Sequence, residues 1–240
     1  MRYRYWLMPL ALVIALASNA TLTTAARDTQ PISQLRVVHA LPGIAPVDVF
    51  IDGARSVTGL SFGAATPYIN LPTGSHAFAI VPAGALVASA LINSQADLAP
   101  GQPYTLMAAG ASPAGLMLED TRFTPIGGSP RARFIHASPN LANVDIAVEG
   151  GPILFSNIAL GQATPYVELP AGTATLVVRQ AGTETSVLAI PELVLAINTV
   201  YTFAVIGLLG NTPALRGRWG IAKRLCGHTA ARGRTVGRDV

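Results

Sequence analysis

The strongest constraint on the fold of this chain is an internal repeat. Residues 36–42 read Arg-Val-Val-His-Ala-Leu-Pro and lead into residues 47–53, Val-Asp-Val-Phe-Ile-Asp-Gly. About 97 residues later, residues 133–139 read Arg-Phe-Ile-His-Ala-Ser-Pro and lead into residues 144–150, Val-Asp-Ile-Ala-Val-Glu-Gly. Solenoid repeats are roughly 20–50 residues long, so a repeat of this length predicts two copies of one fold, each with its own core.

The apolar residues in each copy follow the pattern of half-buried strands. Val37 and His39, and then Val47, Val49 and Ile51, alternate with other residues at a period of two. Glycine and proline fall between short apolar runs, which favours many strands joined by tight turns over helices. We therefore predict an all-β chain of two tandem antiparallel β-sandwiches of the Ig-like or Greek-key type.

Two further motifs recur in both copies. Residues 66–74, Thr-Pro-Tyr-Ile-Asn-Leu-Pro-Thr-Gly, return at 164–172 as Thr-Pro-Tyr-Val-Glu-Leu-Pro-Ala-Gly, and the Pro-x-Gly ending fits a type I turn. Later in each copy a tyrosine, Tyr104 or Tyr201, enters an apolar strand after a turn. This position is typical of a tyrosine corner, in which the phenol bonds to upstream backbone. The alternative is an ordinary half-buried strand tyrosine.

These patterns divide the chain into five segments. They are a signal peptide (1–26), a first sandwich (33–120), a Gly- and Pro-containing linker (121–131), a second sandwich (132–215) and a basic tail (216–240).

The first segment has the composition of a secretory signal. Arg2 and Arg4 precede the short apolar stretch 7–17, and small residues precede two possible cleavage points. An uncleaved membrane anchor is the alternative, although the apolar stretch is shorter than the roughly 20 residues that span a bilayer. Both alternatives predict an exported protein, secreted or held at the cell surface, with no membrane contact beyond this segment.

The basic residues are concentrated at the ends of the chain. The formal net charge is +4, but residues 27–215 carry seven basic and eleven acidic residues. No nucleic-acid partner is expected for such a body, because nucleic-acid binding needs a basic surface. The arginine-rich tail is predicted to be disordered, to replace the last strand of the second copy, and to be capable of binding an anionic surface polymer.

The recurring motifs carry a family resemblance. The pattern H-A-x-P-x-x-x-x-V-D-[VI]-x-[VI]-x-G, the T-P-Y-x-x-L-P-x-G turn and the late Tyr-Thr strand resemble the DUF4397 family over residues 33–215. That family is a domain of unknown function found in exported bacterial proteins, often as tandem copies. The resemblance implies an extracytoplasmic β-rich module and no activity.

The best candidates for chemistry are two histidine–aspartate pairs, His39 with Asp48 and His136 with Asp145. If the two strands of each pair form a hairpin, a cross-strand contact follows. A carboxylate that orients an imidazole is half of a metal site or a catalytic triad. Because no nucleophile or further ligand recurs with the pairs, we favour a structural hydrogen bond that clamps the two strands.

Other functional signals are weaker. Residues 59–63 match G-x-S-x-G, but residues 64–67 are turn-like, whereas a nucleophile elbow needs a following helix. Calcium would need a cage of clustered oxygens, which the alternating strand positions do not form. The carboxylates considered for calcium are Asp48, Asp52, Asp97, Asp145 and Glu149. Aromatic residues, the usual platform for sugars, make up 6% of the chain.

The sequence therefore predicts a non-enzymatic, secreted or cell-surface structural and interaction module that requires no cofactor. Its partner would be an unidentified surface polymer or protein. A calcium- or glycan-binding module is the alternative, and a hydrolase is less favoured.

Overall fold

The computed structural model describes residues 30–110, 112–120 and 128–224. The predicted signal peptide, most of the predicted linker and the chain beyond residue 224 lie outside these ranges. Within them the regular secondary structure is almost entirely β-strand, and no helix among them is long and apolar enough to cross a membrane.

The first half of the chain contains eight strands and a short 3-10 helix at Val87–Ser89. The strands are β1 (Ile32–His39), β2 (Val47–Ile51), β3 (Ala54–Leu60), β4 (Ile69–Pro72), β5 (Gly74–Pro82), β6 (Ile92–Leu98), β7 (Pro103–Ala109) and β8 (Ala114–Glu119). They form two four-stranded sheets, in the orders β3-β2-β5-β6 and β4-β1-β7-β8.

The second half repeats this arrangement. Its strands are β9 (Arg131–His136), β10 (Val144–Val148), β11 (Ile153–Ile158), β12 (Val167–Glu168), β13 (Gly172–Gln180), β14 (Ser186–Leu195), β15 (Thr199–Ile206) and β16 (Arg216–Arg224). The sheet orders are β11-β10-β13-β14 and β12-β9-β15-β16. The prediction of an all-β chain with tandem sandwiches is confirmed, whereas the exact segment boundaries stay predictions.

One strand pair in each half is parallel. β1 runs parallel to β7, and β9 runs parallel to β15, while the other pairs are antiparallel. The first strand of each half therefore lies beside the strand that carries the predicted tyrosine corner. The sequence pattern did not indicate this parallel pair, because alternation shows which face is buried and not the direction of the neighbour.

Each half has its own apolar core between its two sheets, as the repeat length predicted. In the first half the core includes Leu35, Val49 and Ile80, and in the second half Phe134, Ile146 and Phe203, all fully or almost fully buried. These side chains occupy alternate positions along their strands, which is why the period of two identified them.

A third apolar cluster joins the two halves. Its buried members are Ala40, Met107, Ala109 and Leu118 from the first half, and Ile135, Ala137, Ala204 and Ile206 from the second. On β7, β9 and β15, Met107, Ile135 and Ala204 alternate with residues of the two separate cores. The central sheets β4-β1-β7-β8 and β12-β9-β15-β16 thus bury side chains on both faces, and the two halves pack sheet against sheet.

The prediction of a disordered tail that replaces the last strand is wrong for the first nine residues of that tail. Arg216–Arg224 forms β16, which pairs antiparallel with β15 along its whole length. Backbone hydrogen bonds do not depend on side-chain polarity, and edge strands commonly carry charged residues. The arginines were therefore compatible with a strand, and composition alone was a poor guide.

Removal of apolar volume at the junction should destabilise the whole chain. Ile135 is fully buried in the shared cluster. We expect Ile135→Ala to reduce the free energy of unfolding by about 2–5 kcal/mol, because it removes a buried side chain and leaves a cavity. Urea denaturation of both proteins measures the loss.

The matched control is Ile153→Ala, because Ile153 is half exposed. Its cost should stay within about 0.5 kcal/mol. Equal costs for the two substitutions would contradict the burial of Ile135 between the halves.

Candidate functional site at the junction of the two halves

The two predicted site histidines are buried near the ends of β1 and β9. His39 accepts a hydrogen bond from Leu41 N at Nδ1 (3.3 Å) and donates from Nε2 to Ala45 O (3.3 Å). His136 accepts from Ser138 N at Nδ1 (3.3 Å) and donates from Nε2 to a carbonyl six residues ahead, Ala142 O (3.0 Å). Each ring therefore binds the backbone of the loop that follows its own strand.

These contacts define the charge state of both rings. One ring nitrogen accepts and the other donates, which only the neutral imidazole can do. Burial lowers the pKa of His39 and of His136, although the carbonyl contacts oppose that effect. Both histidines are thus neutral structural elements, and neither has a free nitrogen for a metal or a substrate.

Asp48 binds backbone and an arginine rather than His39. Its Oδ1 accepts from Gly59 N (2.7 Å), its Oδ2 accepts from Gly84 N (2.9 Å), and Arg55 donates to it as well. The hydrogen bonds from Gly84 and Gly59 lower the pKa of Asp48. The carboxylate therefore joins β2 to a bulge in β3 and to the turn after β5.

Asp145 makes the equivalent contacts in the second half. Its Oδ1 accepts from Asn157 N (2.6 Å) and its Oδ2 accepts from Gly182 N (3.0 Å). Asn157 and Gly182 both have positive φ, at 53° and 73°, so neither N–H points into a regular ladder. A bulge leaves a backbone donor without a strand partner, and the aspartate supplies the acceptor.

The predicted His–Asp clamp is wrong in both halves. β1 and β2 do not form a hairpin, because β1 pairs with β4 and β7 whereas β2 pairs with β3 and β5. The loop 40–46 carries the chain from one sheet to the other. His39 and Asp48 therefore belong to different layers of the sandwich, as do His136 and Asp145.

The phenols of the two predicted corner tyrosines bind backbone five residues upstream. Tyr104 Oη accepts from Ala99 N (3.1 Å), and Tyr201 Oη accepts from Ala196 N (2.9 Å) and donates to Val194 O (3.2 Å). Both rings are buried. That these contacts stabilise each half as tyrosine corners do stays a proposal.

A histidine–aspartate contact does exist at a position that the sequence analysis did not consider. His76 Nδ1 lies 2.6 Å from Asp52 Oδ2, and His76 Nε2 lies 2.9 Å from Pro72 O. Both partners are acceptors, so the charged imidazolium satisfies both. Burial acts against that charge, but the contacts with Asp52 and Pro72 outweigh it and raise the pKa of His76.

The most concentrated polar group of the described chain lies where the two central sheets meet. From the first half, Arg36 Nε donates to Thr105 Oγ1 (2.7 Å), and the guanidinium lies over the Tyr68 ring at 5.2 Å from its centre. From the second half, Arg133 Nε donates to Thr202 Oγ1 (3.2 Å) and lies 4.8 Å from the Tyr166 ring centre. The two sets match position by position.

A single carboxylate, Asp120, connects the two sets. Its Oδ2 accepts from Tyr68 Oη (2.5 Å) and Thr105 Oγ1 (2.6 Å) and lies 3.5 Å from Arg36 Nε. Its Oδ1 accepts from Arg133, which also donates to Glu119 O (2.8 Å). Asp120 is fully buried. We call Arg36, Tyr68, Thr105, Asp120, Arg133, Tyr166 and Thr202 the junction cluster.

The charges and hydrogen bonds of the junction cluster favour association of the two halves. Burial raises the pKa of Tyr68 and of Tyr166, so both phenols keep their protons, and Tyr68 donates its proton to Asp120. Buried charges are tolerated where they are paired and hydrogen-bonded, and Asp120 has four such partners. The arrangement holds the two halves together.

Sequence reasoning missed the junction cluster, although a signal was available. The arginine, the Thr-Pro-Tyr tyrosine and the Tyr-Thr threonine occur at matching positions of both copies. These recurring residues include Arg36 and Arg133, Tyr68 and Tyr166, and Thr105 and Thr202. Recurrence between the two copies is thus the sequence signal that marks residues which meet at the junction of the two halves. Asp120 occurs in one copy only and carried no such signal.

The carboxylates considered for calcium are not assembled in the structure. In the described ranges, no three His, Cys, Asp or Glu side chains are grouped so that they could hold a metal ion. Asp48 and Asp145 use both carboxylate oxygens on backbone N–H groups.

Loss of either bulge-binding aspartate should destabilise the chain. We expect Asp48→Asn and Asp145→Asn each to cost about 1–3 kcal/mol, since an asparagine NH₂ faces a backbone N–H and leaves it unsatisfied. Denaturant unfolding measures the cost. Asp97→Asn, at an exposed position of β6, is the control and should be nearly neutral. A neutral result for Asp145→Asn would contradict the assigned role.

Stability should peak near pH 6.5, the ordinary pKa of histidine. Below pH 6.5 the histidines of the unfolded chain bind protons, whereas the lowered pKa values keep His39 and His136 neutral in the folded chain. The free energy of unfolding therefore falls as pH falls, by at most about 1.4 kcal/mol per pH unit for each histidine. Above it, His76 loses a proton that the folded state had held, so stability falls as pH rises through its raised pKa. Thermal melts from pH 5 to 8 measure both slopes.

His76→Gln separates the two contributions. This variant should lose the decline above pH 6.5 and retain the decline below it. The lowered pKa of Asp48 acts near pH 4 and lower, outside this interval. An unchanged alkaline slope in His76→Gln would rule out the assignment.

Comparisons with known proteins place the chain in a family but show no activity. A search among curated protein sequences found no match. Three solved structures show a distant likeness: the Bacillus anthracis TIE protein, family 41 carbohydrate-binding modules from streptococcal virulence factors, and a putative cell adhesion protein from Parabacteroides distasonis. Their identities to this chain are 14%, 12% and 9%, and their TM-scores are 0.24, 0.23 and 0.23.

The aligned regions cover most of this chain. They include 73%, 78% and 80% of it, and 34%, 97% and 98% of the three structures in the same order. The chain thus spans about a third of the length of the first. With TM-scores of this size, the three structures carry no argument about function here.

A protein-family model matches both halves of the chain. The model of a domain of unknown function, DUF4397, matches residues 33–147 and again residues 130–216. The first match spans the first half and continues into β10, and the second match spans the second half as far as the first residue of β16. Together they cover most of the chain, and they agree with the resemblance that the recurring motifs carry. The chain belongs to the DUF4397 family.

Proposed function

We propose that this protein is an exported, non-enzymatic interaction module of the cell surface, in which two joined sandwiches present a binding face to a surface polymer or protein. Support for export comes from the signal-like segment 1–26. Support for an interaction role comes from what the side chains do in the fold.

The observation that carries the proposal is that the potentially reactive side chains bind backbone groups of the fold. His39, His136, Asp48 and Asp145 hold loops and bulges through backbone hydrogen bonds, so these recurring residues support the scaffold. Ser61 of the G-x-S-x-G match lies in a turn, where Ala64 N donates to Ser61 O (2.9 Å), and no helix follows. These roles favour a rigid scaffold over a hydrolase.

A trough on the outer face of the first half is the best candidate for the binding face. It has a volume of about 390 Å³ and lies on sheet β3-β2-β5-β6. Its lining includes the small side chains of Ala77 and Ala79 on β5, which leave space above the sheet. Phe50 on β2 lies on one side, and Asn93 and Gln95 on β6 lie on the other. Ligand sites of this volume combine apolar walls with a few polar groups in the same way.

The corresponding face of the second half carries different side chains. By strand register, Phe50, Ala79 and Asn93 correspond to Ala147, Val177 and Ala189. The 3-10 helix Val87–Ser89, which contributes Val87 to the trough, has no counterpart in the short turn between β13 and β14. A difference on an outer face, beside a closely repeated interior, is consistent with recognition by one half only.

Glycan binding is the specific form of the proposal that the trough favours. The amide side chains beside the apolar Phe50 and Val87 offer hydrogen bonds to sugar hydroxyls next to an apolar contact. Calcium receives no comparable support, because three of the aspartates considered for it, Asp48, Asp52 and Asp145, bind backbone N–H groups.

The test is a titration of the folded chain with soluble cell-wall glycans and α- and β-glucans, followed by thermal melts. A specific ligand at 100 times its dissociation constant should stabilise the chain by about 2.7 kcal/mol, which is a shift of several degrees. Ala77→Tyr should abolish the shift, because Ala77 is exposed and a tyrosine there fills the trough.

Thr175→Tyr is the matched control, because Thr175 O accepts from Glu149 N just as Ala77 O accepts from Asp52 N. It should leave binding intact. Equal loss in both variants, or none in Ala77→Tyr, would exclude the trough as the binding face. A wild-type chain that no glycan stabilises would exclude the glycan form.

A further inference from the structure

The two arginines of the junction cluster are unequally satisfied. Arg133 uses Nε, Nη1 and Nη2, which donate to Thr202, Glu119 O and Asp120. Arg36 uses only Nε, which donates to Thr105 and lies near Asp120. In the part of the chain that the structure describes, nothing accepts a hydrogen bond from Nη1 or Nη2 of Arg36.

The terminal nitrogens of Arg36 are enclosed but reachable. The side chain is 7% exposed, so most of its surface is removed from water. Neither Nη atom is among the fully buried side-chain atoms that lack a partner, so both retain some accessible surface. A guanidinium has five N–H donors, and a largely buried one needs acceptors for those it does not use within the protein.

The charge of the junction cluster is unbalanced. Arg36 and Arg133 contribute two positive charges, and Asp120 contributes the only carboxylate among the residues of the cluster. Asp120 directly follows β8, and its N–H donates to Pro103 O at the start of β7. In the second half the corresponding strand is β16, and residues 216–224 contain no aspartate or glutamate.

We infer that the Arg36 end of the junction cluster is a binding site for a small carboxylate anion. The anion would supply a second carboxylate, which the second half of the chain does not contribute, as Asp120 of the first half supplies the first. The two free Nη groups of one guanidinium form a planar fork, and a carboxylate matches that fork with two parallel hydrogen bonds.

The neighbouring groups complete such a site without competing for the anion. The Tyr68 ring covers one face of Arg36 and orients the guanidinium plane. Asp120 is held by Arg133 and two hydroxyls, so its negative charge is largely engaged away from the Arg36 fork. A second carboxylate would bring the charge of the cluster to zero, which a buried environment favours.

The test is a series of thermal melts of the full chain at constant ionic strength, with sodium acetate, sodium phosphate or sodium chloride. We expect acetate to raise the melting temperature in a saturable manner that chloride does not reproduce. A saturable effect of phosphate alone would identify a phosphate site and overturn the carboxylate assignment. Equal effects of all three anions, or none, would show that water or bulk ions satisfy Arg36, and would overturn it as well.

Two variants locate the site. Arg36→Lys keeps the charge but lacks the fork and should weaken acetate binding by roughly tenfold or more, the loss expected for one charge-assisted hydrogen bond. Arg179→Gln, at an arginine that pairs with exposed Glu184, is the control and should not change it. Unchanged binding in Arg36→Lys overturns the proposal.

A measurement on the wild-type chain does not depend on any variant. The side-chain ¹⁵N resonances of Arg36 should shift during an acetate titration, whereas those of Arg179 should not. If the Arg36 resonances do not move while the melting temperature rises, acetate binds elsewhere. This readout is independent of the trough on the outer face, so the two proposals succeed or fail separately.

Discussion

The contact of Asp120 with arginines from both halves is the interaction on which the architecture of the chain depends. Asp120 directly follows β8 and is fully buried where the two central sheets meet, so its charge has to be satisfied from every side. Tyr68, Thr105 and Arg36 satisfy it from its own half, and Arg133 satisfies it from the other. Because the acceptor belongs to one half and a donor to the other, the polar pairing fixes how the two halves meet, which apolar contacts alone do not specify.

The recurring motifs of the sequence now have separate physical roles. The histidine of each motif organises the loop after the first strand, and the aspartate satisfies a bulge and a turn in the opposite sheet. The threonine of the Thr-Pro-Tyr motif accepts from the first strand, Thr66 from Val37 N and Thr164 from Phe134 N (2.9 Å each). The histidine, the aspartate and this threonine, which recur in both copies, thus each bind backbone groups that lack a strand partner.

The sequence was sufficient for the strands and the cores and insufficient for the contacts between layers. Alternation at a period of two identifies inward residues such as Val49 and Ile146, because a strand turns successive side chains to opposite faces. It does not show whether the next strand lies in the same sheet, and this is why His39 and Asp48 were paired wrongly. It also does not show a second buried face, so alternation gave no sign that Arg36 and Ile135 lie between two sandwiches. β16 was missed because arginines indicate exposure and not the absence of strand structure.

The parallel pairing of β1 with β7 has a consequence for how the chain reaches this structure. Gln34 pairs with Pro103, and His39 pairs with Ala108, so the first strand acquires its central neighbour only after about seventy further residues are in place. Contacts of such long sequence separation carry a large loop-closure cost and slow folding. The same holds for β9 and β15 in the second half. During synthesis the first strand of each half therefore lacks its central neighbour until most of that half has been made, and each half completes its fold late.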